Sequence, residues 1–237
     1  MNSRWGWAVK VVFTAALLIA LAPGAHATLL APGGSGFPTL VATPPGTLLA
    51  SLSSPFTSSL GTDSGTIVSA VYREGGGALD FYYQIALNTT STNCGTAGQP
   101  PCDPISRETD TSFFGFVTDA GFRIDGGSLP GGVFVDGTVE PVTVDRNSVG
   151  DVVGFNFNPP TFAEIQPGQT SNVLVIRTNA TNFIAGNASV IDGGVTTVAS
   201  FEPTGTPQTS TPEPSTLMLF GSGLVGLAGL RRRFARR

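Results

Sequence analysis

Histidine, lysine, cysteine and tryptophan are nearly absent from this chain of 237 residues. The single histidine, His26, and the single lysine, Lys10, both lie in the first 27 residues. The rest of the chain therefore offers no Ser-His or Ser-Lys dyad, no Cys-His nucleophile, no Schiff-base lysine and no histidine-ligated zinc or haem. Paired carboxylates, as glycosidases use them, are the main catalytic chemistry that this composition leaves open.

The N-terminus has the layout of a secretory signal peptide over residues 1–27. Two basic residues precede an apolar stretch at 11–22, and a small-x-small cleavage site follows at Ala25-His26-Ala27. Cleavage by signal peptidase after this site makes Thr28 the first residue of the mature protein. An uncleaved N-terminal anchor is the alternative interpretation.

The last 26 residues combine three features in a fixed order: Pro212-Glu213-Pro214, an apolar run over 217–230, and a cluster of arginines. As a helix, this run spans roughly 21 Å, which is less than the roughly 30 Å of a bilayer's hydrocarbon core. Arginines at the end of a membrane segment favour the cytoplasmic side. We therefore predict a short transmembrane helix over 216–230 and a cytoplasmic tail over 231–237, whose arginines are Arg231, Arg232, Arg233, Arg236 and Arg237. A plain tail anchor is the alternative.

This order of features resembles the PEP-CTERM sorting signal of Gram-negative bacteria. The resemblance covers residues 212–237 and implies that Pro212, Glu213 and Pro214 are read by an exosortase, a membrane-embedded cysteine transpeptidase that cuts near the motif. It further implies export through the inner membrane, a transient membrane-anchored precursor, and a final location at the cell surface or in the extracellular matrix. Such proteins commonly accompany exopolysaccharide production in biofilms.

The body of the chain, residues 28–211, is strongly acidic. It contains fifteen acidic residues and five arginines, which gives a formal net charge of −10. A body of this charge is not expected to bind nucleic acid.

Alternating apolar residues predict an all-β fold. Over residues 79–87, Leu79, Phe81, Tyr83, Ile85 and Leu87 occupy one face of a strand. Similar segments separated by Gly-rich and Pro-rich turns predict an antiparallel two-sheet sandwich over 46–202, immunoglobulin-like or jelly-roll. The predicted strands cover 47–52, 66–73, 79–87, 112–118, 132–136, 142–145, 152–157, 173–178, 188–192 and 195–201. We expect a flexible segment over 28–45 and a Pro/Thr-rich linker over 203–215.

The only two cysteines, Cys94 and Cys102, lie close together in a Gly/Pro-rich stretch. In an oxidising compartment they are expected to form a local disulfide within a long loop over 88–109. Such a bond contributes roughly 2 to 3 kcal/mol in the chain-entropy treatment.

Several acidic residues are candidates for catalysis or metal binding. A group beside the cysteine loop is interpreted chiefly as a solvated acidic loop, with a glycosidase-like acid pair as the alternative: Asp103, Glu108 and Asp110. A second group precedes glycines and is interpreted chiefly as turn residues, with calcium binding as the alternative: Asp125, Asp136 and Asp192. No metal site is assigned, and calcium is the one cofactor left open.

The sequence thus predicts a non-enzymatic protein with a structural or binding role at the cell surface or in an exopolysaccharide matrix. Two alternatives stay open. One is a carbohydrate-binding adhesive module, with or without calcium, that uses exposed aromatic side chains such as Tyr82 or Tyr83. The other is a glycan hydrolase with an acid pair.

Overall fold

The fold is given by a computed structural model that describes residues 28–58, 61, 63–89, 104–158 and 164–206. Within these ranges the chain forms strands and one short 3-10 helix, Gly126–Ser128. The strands are β1 (Thr28–Leu29), β2 (Ser35–Gly36), β3 (Thr39–Leu40), β4 (Thr47–Thr57), β5 (Ser64–Arg73), β6 (Leu79–Leu87), β7 (Arg107–Asp110), β8 (Thr118–Arg123), β9 (Thr143–Arg146), β10 (Val153–Asn156), β11 (Val173–Thr178), β12 (Asn182–Ile191) and β13 (Val195–Thr204).

Two sheets pack face to face, as the sequence predicts. The first has the order β1-β8-β11-β6-β5-β4, with β3 running parallel to β8. The second has the order β13-β12-β7-β10-β9-β2 and is antiparallel throughout. Hairpins join β4 to β5, β5 to β6, β9 to β10 and β12 to β13. The connections that cross between the sheets are β1–β2, β2–β3, β6–β7, β7–β8, β8–β9, β10–β11 and β11–β12.

Strand β6 shows how the sequence builds the core. Its predicted apolar face lies in the main cluster between the sheets, where Phe81 and Ile85 are fully buried. Its other face is buried too, because a loop layer covers the outside of the first sheet. Gln84 holds this layer: its side chain donates to the Val135 carbonyl (2.8 Å) and accepts from the Val135 N–H (3.0 Å). Tyr82 lies in the second apolar cluster beneath the layer.

Two predicted strands are wrong. Residues 112–118 are mostly a turn, flanked by β7 and β8, and their aromatic residues anchor the turn rather than a ladder: Phe113 and Phe116 are buried. Residues 132–136 run without ladder pairing and attach to the first sheet through Gln84. In both segments, apolar residues that suggest a strand serve instead to pack a loop.

Residues 28–45, which the sequence predicts to be a flexible segment, contain three short strands that pair with the two sheets. β1 and β3 pair with β8, and β2 pairs with β9, so this segment touches both sheets. Leu30 and Val41 are buried. Backbone hydrogen bonding, which a Gly/Pro-rich composition does not reveal, fixes the segment.

At one edge of the sandwich, side-chain hydrogen bonds rather than backbone strand pairing join the two sheets. Strand β13 is an edge strand, and its Ala199 and Phe201 carbonyls accept hydrogen bonds from Ser54 (2.7 Å) and Tyr83 (3.1 Å) of the first sheet. These bonds satisfy carbonyls that would otherwise present an open edge.

Several sequence predictions fall outside the described ranges. They are the signal peptide with Ala25 and Ala27, the cysteine pair Cys94 and Cys102, the acidic residue Asp103, the Pro-Glu-Pro motif, and the membrane helix with its arginine tail. In the ranges that are described, no helix has the length and apolar character needed to cross a membrane.

Candidate functional site

Two carboxyl side chains, Glu108 and Asp110, lie inside the sandwich on an interior strand of the second sheet. They are two residues apart in β7, so both point to the same face. Glu108 lies between Val190 of β12 and Phe155 of β10, and Asp110 is flanked by apolar core residues in the same way. The two acids are 0% and 1% exposed. The prediction that they belong to a solvated acidic loop is therefore wrong.

Two hydroxyl side chains face this acid pair. Tyr83 donates a hydrogen bond to the Phe201 carbonyl, and it is also close enough to interact with Asp110 and Ser200. Ser200 is fully buried. Side-chain hydrogen bonds link Glu108 to Asp110, Asp110 to Tyr83 and Tyr83 to Ser200. We call Glu108, Asp110, Tyr83 and Ser200 the core oxygen cluster.

No ion pair among the described residues compensates the charge of the acid pair. Burial raises the pKa of Glu108, and a hydrogen bond with Asp110 and the charge of Arg107 offset this only in part. Burial also raises the pKa of Asp110 well above its usual range, and the Glu108 carboxylate raises it further. Arg107 points to the opposite face of the sheet, where it binds Asp145 and Asn156. The pair therefore retains at least one proton at neutral pH unless a cation replaces it.

A third carboxyl group lies at the rim of the cluster. Ser112 follows Asp110 by two residues and donates a hydrogen bond to Glu202 (2.8 Å). Glu202 is half-buried and lies two residues after Ser200 in β13. Ser112 is also the one non-glycine residue in the described ranges with a positive φ, 72°, a conformation that costs energy unless its surroundings fix it. The hydrogen bond from Ser112 to Glu202 thus ties the chain that follows Asp110 to the strand that carries Ser200.

The aspartates that precede glycines serve turns. Asp125 forms an ion pair with Arg123 (2.8 Å), and Asp136 accepts a hydrogen bond from the Gly127 N–H (2.8 Å). Asp192 is in the hairpin turn between β12 and β13, where its N–H donates to the Gly194 carbonyl. In the described part of the chain, no three side chains of His, Cys, Asp or Glu come together as a metal-binding group. Of the three, Asp192 alone lies in a hairpin turn, whereas Asp125 precedes the 3-10 helix and Asp136 lies in an irregular segment.

The two tyrosines suggested as a sugar-binding surface are buried, so that suggestion is wrong. Tyr82 and Tyr83 are both 0% exposed. Tyr82 packs against Tyr72, with ring centroids 4.7 Å apart, and against Phe134 of the covering loop. Tyr83 points into the main core. Strand alternation predicts that their faces differ, but it does not show that both faces are covered.

A buried arginine organises one end of the sandwich. The Arg146 guanidinium donates hydrogen bonds to four backbone carbonyls, those of Leu30, Gly150, Phe113 and Phe116. The residues next to these carbonyls include exposed apolar side chains: Leu29, Phe114, Val117 and Val149. The described chain also leaves the sandwich at this end, because β13 ends at Thr204 opposite Asn182, and the adjoining Asn179 accepts a hydrogen bond from the Val117 N–H.

Neither Ser200 nor Arg146 stands out in the sequence. Ser200 belongs to a strand that contains several Thr and Ser residues, and the sequence gives no sign of which of them faces an acid pair. Arg146 is one of five arginines in an acidic body, where an exposed ion pair is the usual expectation. Only the topology brings its four carbonyl partners together.

Comparison with known families identifies the C-terminal segment. Residues 210–233 match the family described as the PEP-CTERM protein-sorting motif. The matched range contains Pro212-Glu213-Pro214 and the first three arginines of the tail. This chain is therefore a PEP-CTERM domain-containing protein. The motif indicates export, membrane-anchored sorting in Gram-negative bacteria and processing by an exosortase. Comparisons with curated proteins and with solved structures gave no match.

Proposed function

We propose that the β-sandwich is a non-enzymatic component of the cell surface or of an exopolysaccharide matrix, delivered there by exosortase processing. The observation that carries the proposal is the sorting motif joined to an all-β body. The acidic surface charge and the composition, which lacks histidine and lysine after residue 27, add support. The role is binding and assembly rather than catalysis.

The position of the chain's exit fits processing at a membrane. Six positions separate Thr206, the last described residue, from Pro212. Because an extended chain spans at most about 3.6 Å per residue, the motif lies within about 22 Å of the sandwich. The end that carries Leu29, Phe114 and Val149 is therefore held close to the motif in the precursor.

The acid-pair hydrolase is disfavoured by burial. Glu108 and Asp110 are enclosed between the sheets, and a sugar cannot contact either carboxyl group while the sheets stay packed. A general acid or nucleophile must lie within hydrogen-bond reach of its substrate. We therefore assign the acid pair no catalytic role.

Processing can be tested with the full-length chain in a Gram-negative host, with and without its exosortase. We expect the wild-type protein to lose the arginine tail and to leave the inner membrane only when the exosortase is present. Intact mass and fractionation measure both changes. Glu213→Gln should reduce processing, whereas the matched substitution Glu140→Gln, at an exposed position of the sandwich, should not. Recovery of uncut protein from the inner membrane of the competent host would contradict the proposal.

The matrix role needs a separate assay. The processed protein is incubated with the extracellular polysaccharide of its own organism, and the bound fraction is recovered at low and at moderate salt. We expect retention at both salt concentrations. Complete recovery of the protein in the unbound fraction would count against the matrix role while leaving the processing result intact.

A further inference from the structure

We propose that one end of the sandwich is a lipid-contacting surface, which rests on the periplasmic face of the inner membrane while the C-terminal segment still anchors the chain there. Three segments form this end, residues 29–34, 113–117 and 147–150, and we call them the apolar tip. Their large exposed apolar side chains are Leu29 (69%), Phe114 (65%), Val117 (51%) and Val149 (60%). The proposal rests on membrane-anchored sorting by the motif and not on the matrix role.

Hydrogen bonds hold the three segments of the apolar tip together as one surface. The Gly33 N–H donates to the Asn147 carbonyl (2.9 Å), which joins the first segment to the third. The Phe113 N–H donates to the Asp151 carbonyl (2.9 Å), which joins the second segment to the residue that follows the third. Arg146 lies beneath all three, because its guanidinium donates to one carbonyl of the first, two of the second and one of the third.

This arrangement turns backbone oxygens inward and leaves apolar side chains outside. A carbonyl group that loses water in apolar surroundings without another partner costs several kcal/mol. Four carbonyls of the apolar tip already have a partner in Arg146. The tip can therefore exchange water for lipid without leaving those backbone groups unsatisfied.

The charge distribution fits a lipid surface. None of the 6 + 5 + 4 = 15 residues of the apolar tip is charged, although the body carries fifteen acidic residues and five arginines. The flanking acids Asp119 and Asp151 are one or two residues beyond these segments in the chain. Apolar side chains without charged neighbours can enter the membrane interface by about 5 to 10 Å, while the acids of the body stay in water.

The chain leaves the sandwich beside the apolar tip. β13 ends at Thr204, and Asn179, in the turn before its partner strand β12, accepts a hydrogen bond from the Val117 N–H (2.9 Å). Ten positions separate Thr206 from Leu217, so the apolar run begins within about 40 Å of the sandwich. A tether of this length raises the local concentration of the tip at the membrane to about the millimolar range. Contact that is too weak to hold a free protein is therefore sufficient in the precursor.

The first experiment uses tryptophan as a local probe, because the chain has none after Trp7. The full-length chain with Phe114→Trp is reconstituted in vesicles of phosphatidylethanolamine and phosphatidylglycerol, with or without brominated acyl chains that quench tryptophan. The matched control is Val195→Trp, since Val195 is exposed to a similar extent (61%) at the opposite end of the β12–β13 hairpin. After subtraction of the wild-type signal, we expect several-fold stronger quenching at position 114 than at position 195.

A charge placed in the apolar tip tests whether the contact is apolar. Val149→Glu, added to Phe114→Trp, should reduce the quenching several-fold, whereas Val195→Glu should leave it unchanged. Added salt should not reduce the quenching, because screening weakens only the repulsion between the acidic body and anionic lipid.

Hydrogen exchange tests the same contact without a substitution. The wild-type chain anchored in vesicles is compared with the same chain after exosortase has removed its tail. We expect slower exchange in all three segments of the apolar tip while the chain is anchored, and equal exchange over residues 191–195 in both forms.

Three results would overturn the proposal. One is quenching at position 114 that is absent or no stronger than at position 195. Another is a blue-shifted emission at position 114 without quenching by brominated lipid, since it would show that a protein, either the exosortase or a second copy of this chain, covers the tip. The third is equal exchange in the tip of the anchored and the processed chain. The vesicle assay requires no processing and no polysaccharide, so its failure is distinct from a failure of the proposed function.

Discussion

Arg146 offers the sharpest test of how the sandwich is held together at the end where the chain leaves it. Its side chain is buried, and its guanidinium donates to the carbonyls of Leu30 (3.0 Å), Gly150 (3.0 Å), Phe113 (2.6 Å) and Phe116 (2.9 Å). Burial lowers the pKa of Arg146, and the nearby Asp151 opposes that effect. The charge therefore contributes by satisfying carbonyls rather than through a buried ion pair.

The expected cost of Arg146→Ala follows from these four bonds. A hydrogen bond to a charged group is worth about 1.5 to 3 kcal/mol, which gives about 6 kcal/mol for four bonds at the lower value. Removing the buried charge also removes its desolvation penalty, which recovers several kcal/mol. We expect a net loss of about 3 kcal/mol in the free energy of unfolding. For a domain of this size, that loss lowers the melting temperature by about 6 to 12 °C.

Urea unfolding followed by circular dichroism measures this loss. The matched control is Arg73→Ala, because Arg73 is exposed at the end of β5 and exposed substitutions usually change stability by less than about 0.5 kcal/mol. Hydrogen exchange adds a local readout: we expect faster exchange in residues 28–36 and 111–117 of Arg146→Ala, but not in β5 or β6. A loss below about 1 kcal/mol, or exchange that increases uniformly, would refute the reasoning.

Three further predictions concern other parts of the molecule. Burial raises the pKa of Asp80 to about 8, although Arg177 lies 3.5 Å away. Between about pH 4 and pH 8 the folded state therefore holds a proton that the unfolded chain releases. The free energy of unfolding should fall as the pH rises through this range. Asp80→Asn should make that part of the pH profile less steep in urea unfolding, although the acid pair still contributes a slope of the same sign, and an unchanged slope would contradict the assignment. Gly137→Ala should destabilise the protein by about 1 to 3 kcal/mol, since the added Cβ would lie 1.9 Å from a backbone carbonyl oxygen; Gly75→Ala, which meets open space, should be nearly neutral in the same thermal scan. Alkylation followed by intact mass should find no free thiol in the exported protein and two after reduction, and detection of thiols before reduction would exclude a bond between Cys94 and Cys102.

The sequence predicts two interior strands of the first sheet, β6 and β11, with their observed ends. β6 shows the alternation of a strand, and β11 carries a continuous apolar run rich in β-branched residues. The hairpin of β12 and β13 is longer than the sequence predicts. Its extra residues are both polar and apolar and are mostly exposed or half-buried, and ladder pairing extends it to Asn182 and Thr204.

Other strands have no alternating apolar pattern in the sequence that would predict them. β7 reads Arg-Glu-Thr-Asp, which has no apolar residue and therefore no strand signal, yet it pairs on both sides with β10 and β12. β1, β2 and β3 are two residues each, too short for any periodicity. The outer cover of the first sheet depends on Gln84 and on the Tyr72 hydroxyl, which donates to the Pro130 carbonyl (2.8 Å). These are long-range contacts that local sequence does not specify.

The candidate site could not be located from local sequence either, and the reason is the unusual orientation of its two acids. Glu108 and Asp110 can be selected from the sequence as carboxylates, but polar alternation normally points such residues outward. Their strand neighbours, Val190 and Phe155 among them, decide the opposite orientation. Well-packed apolar residues in place of a buried charged group are often neutral or stabilising, so stability alone does not account for two acids in this core. Departures from the rules of burial are expected where a fold serves a function, and the acid pair is the clearest such departure among the described residues.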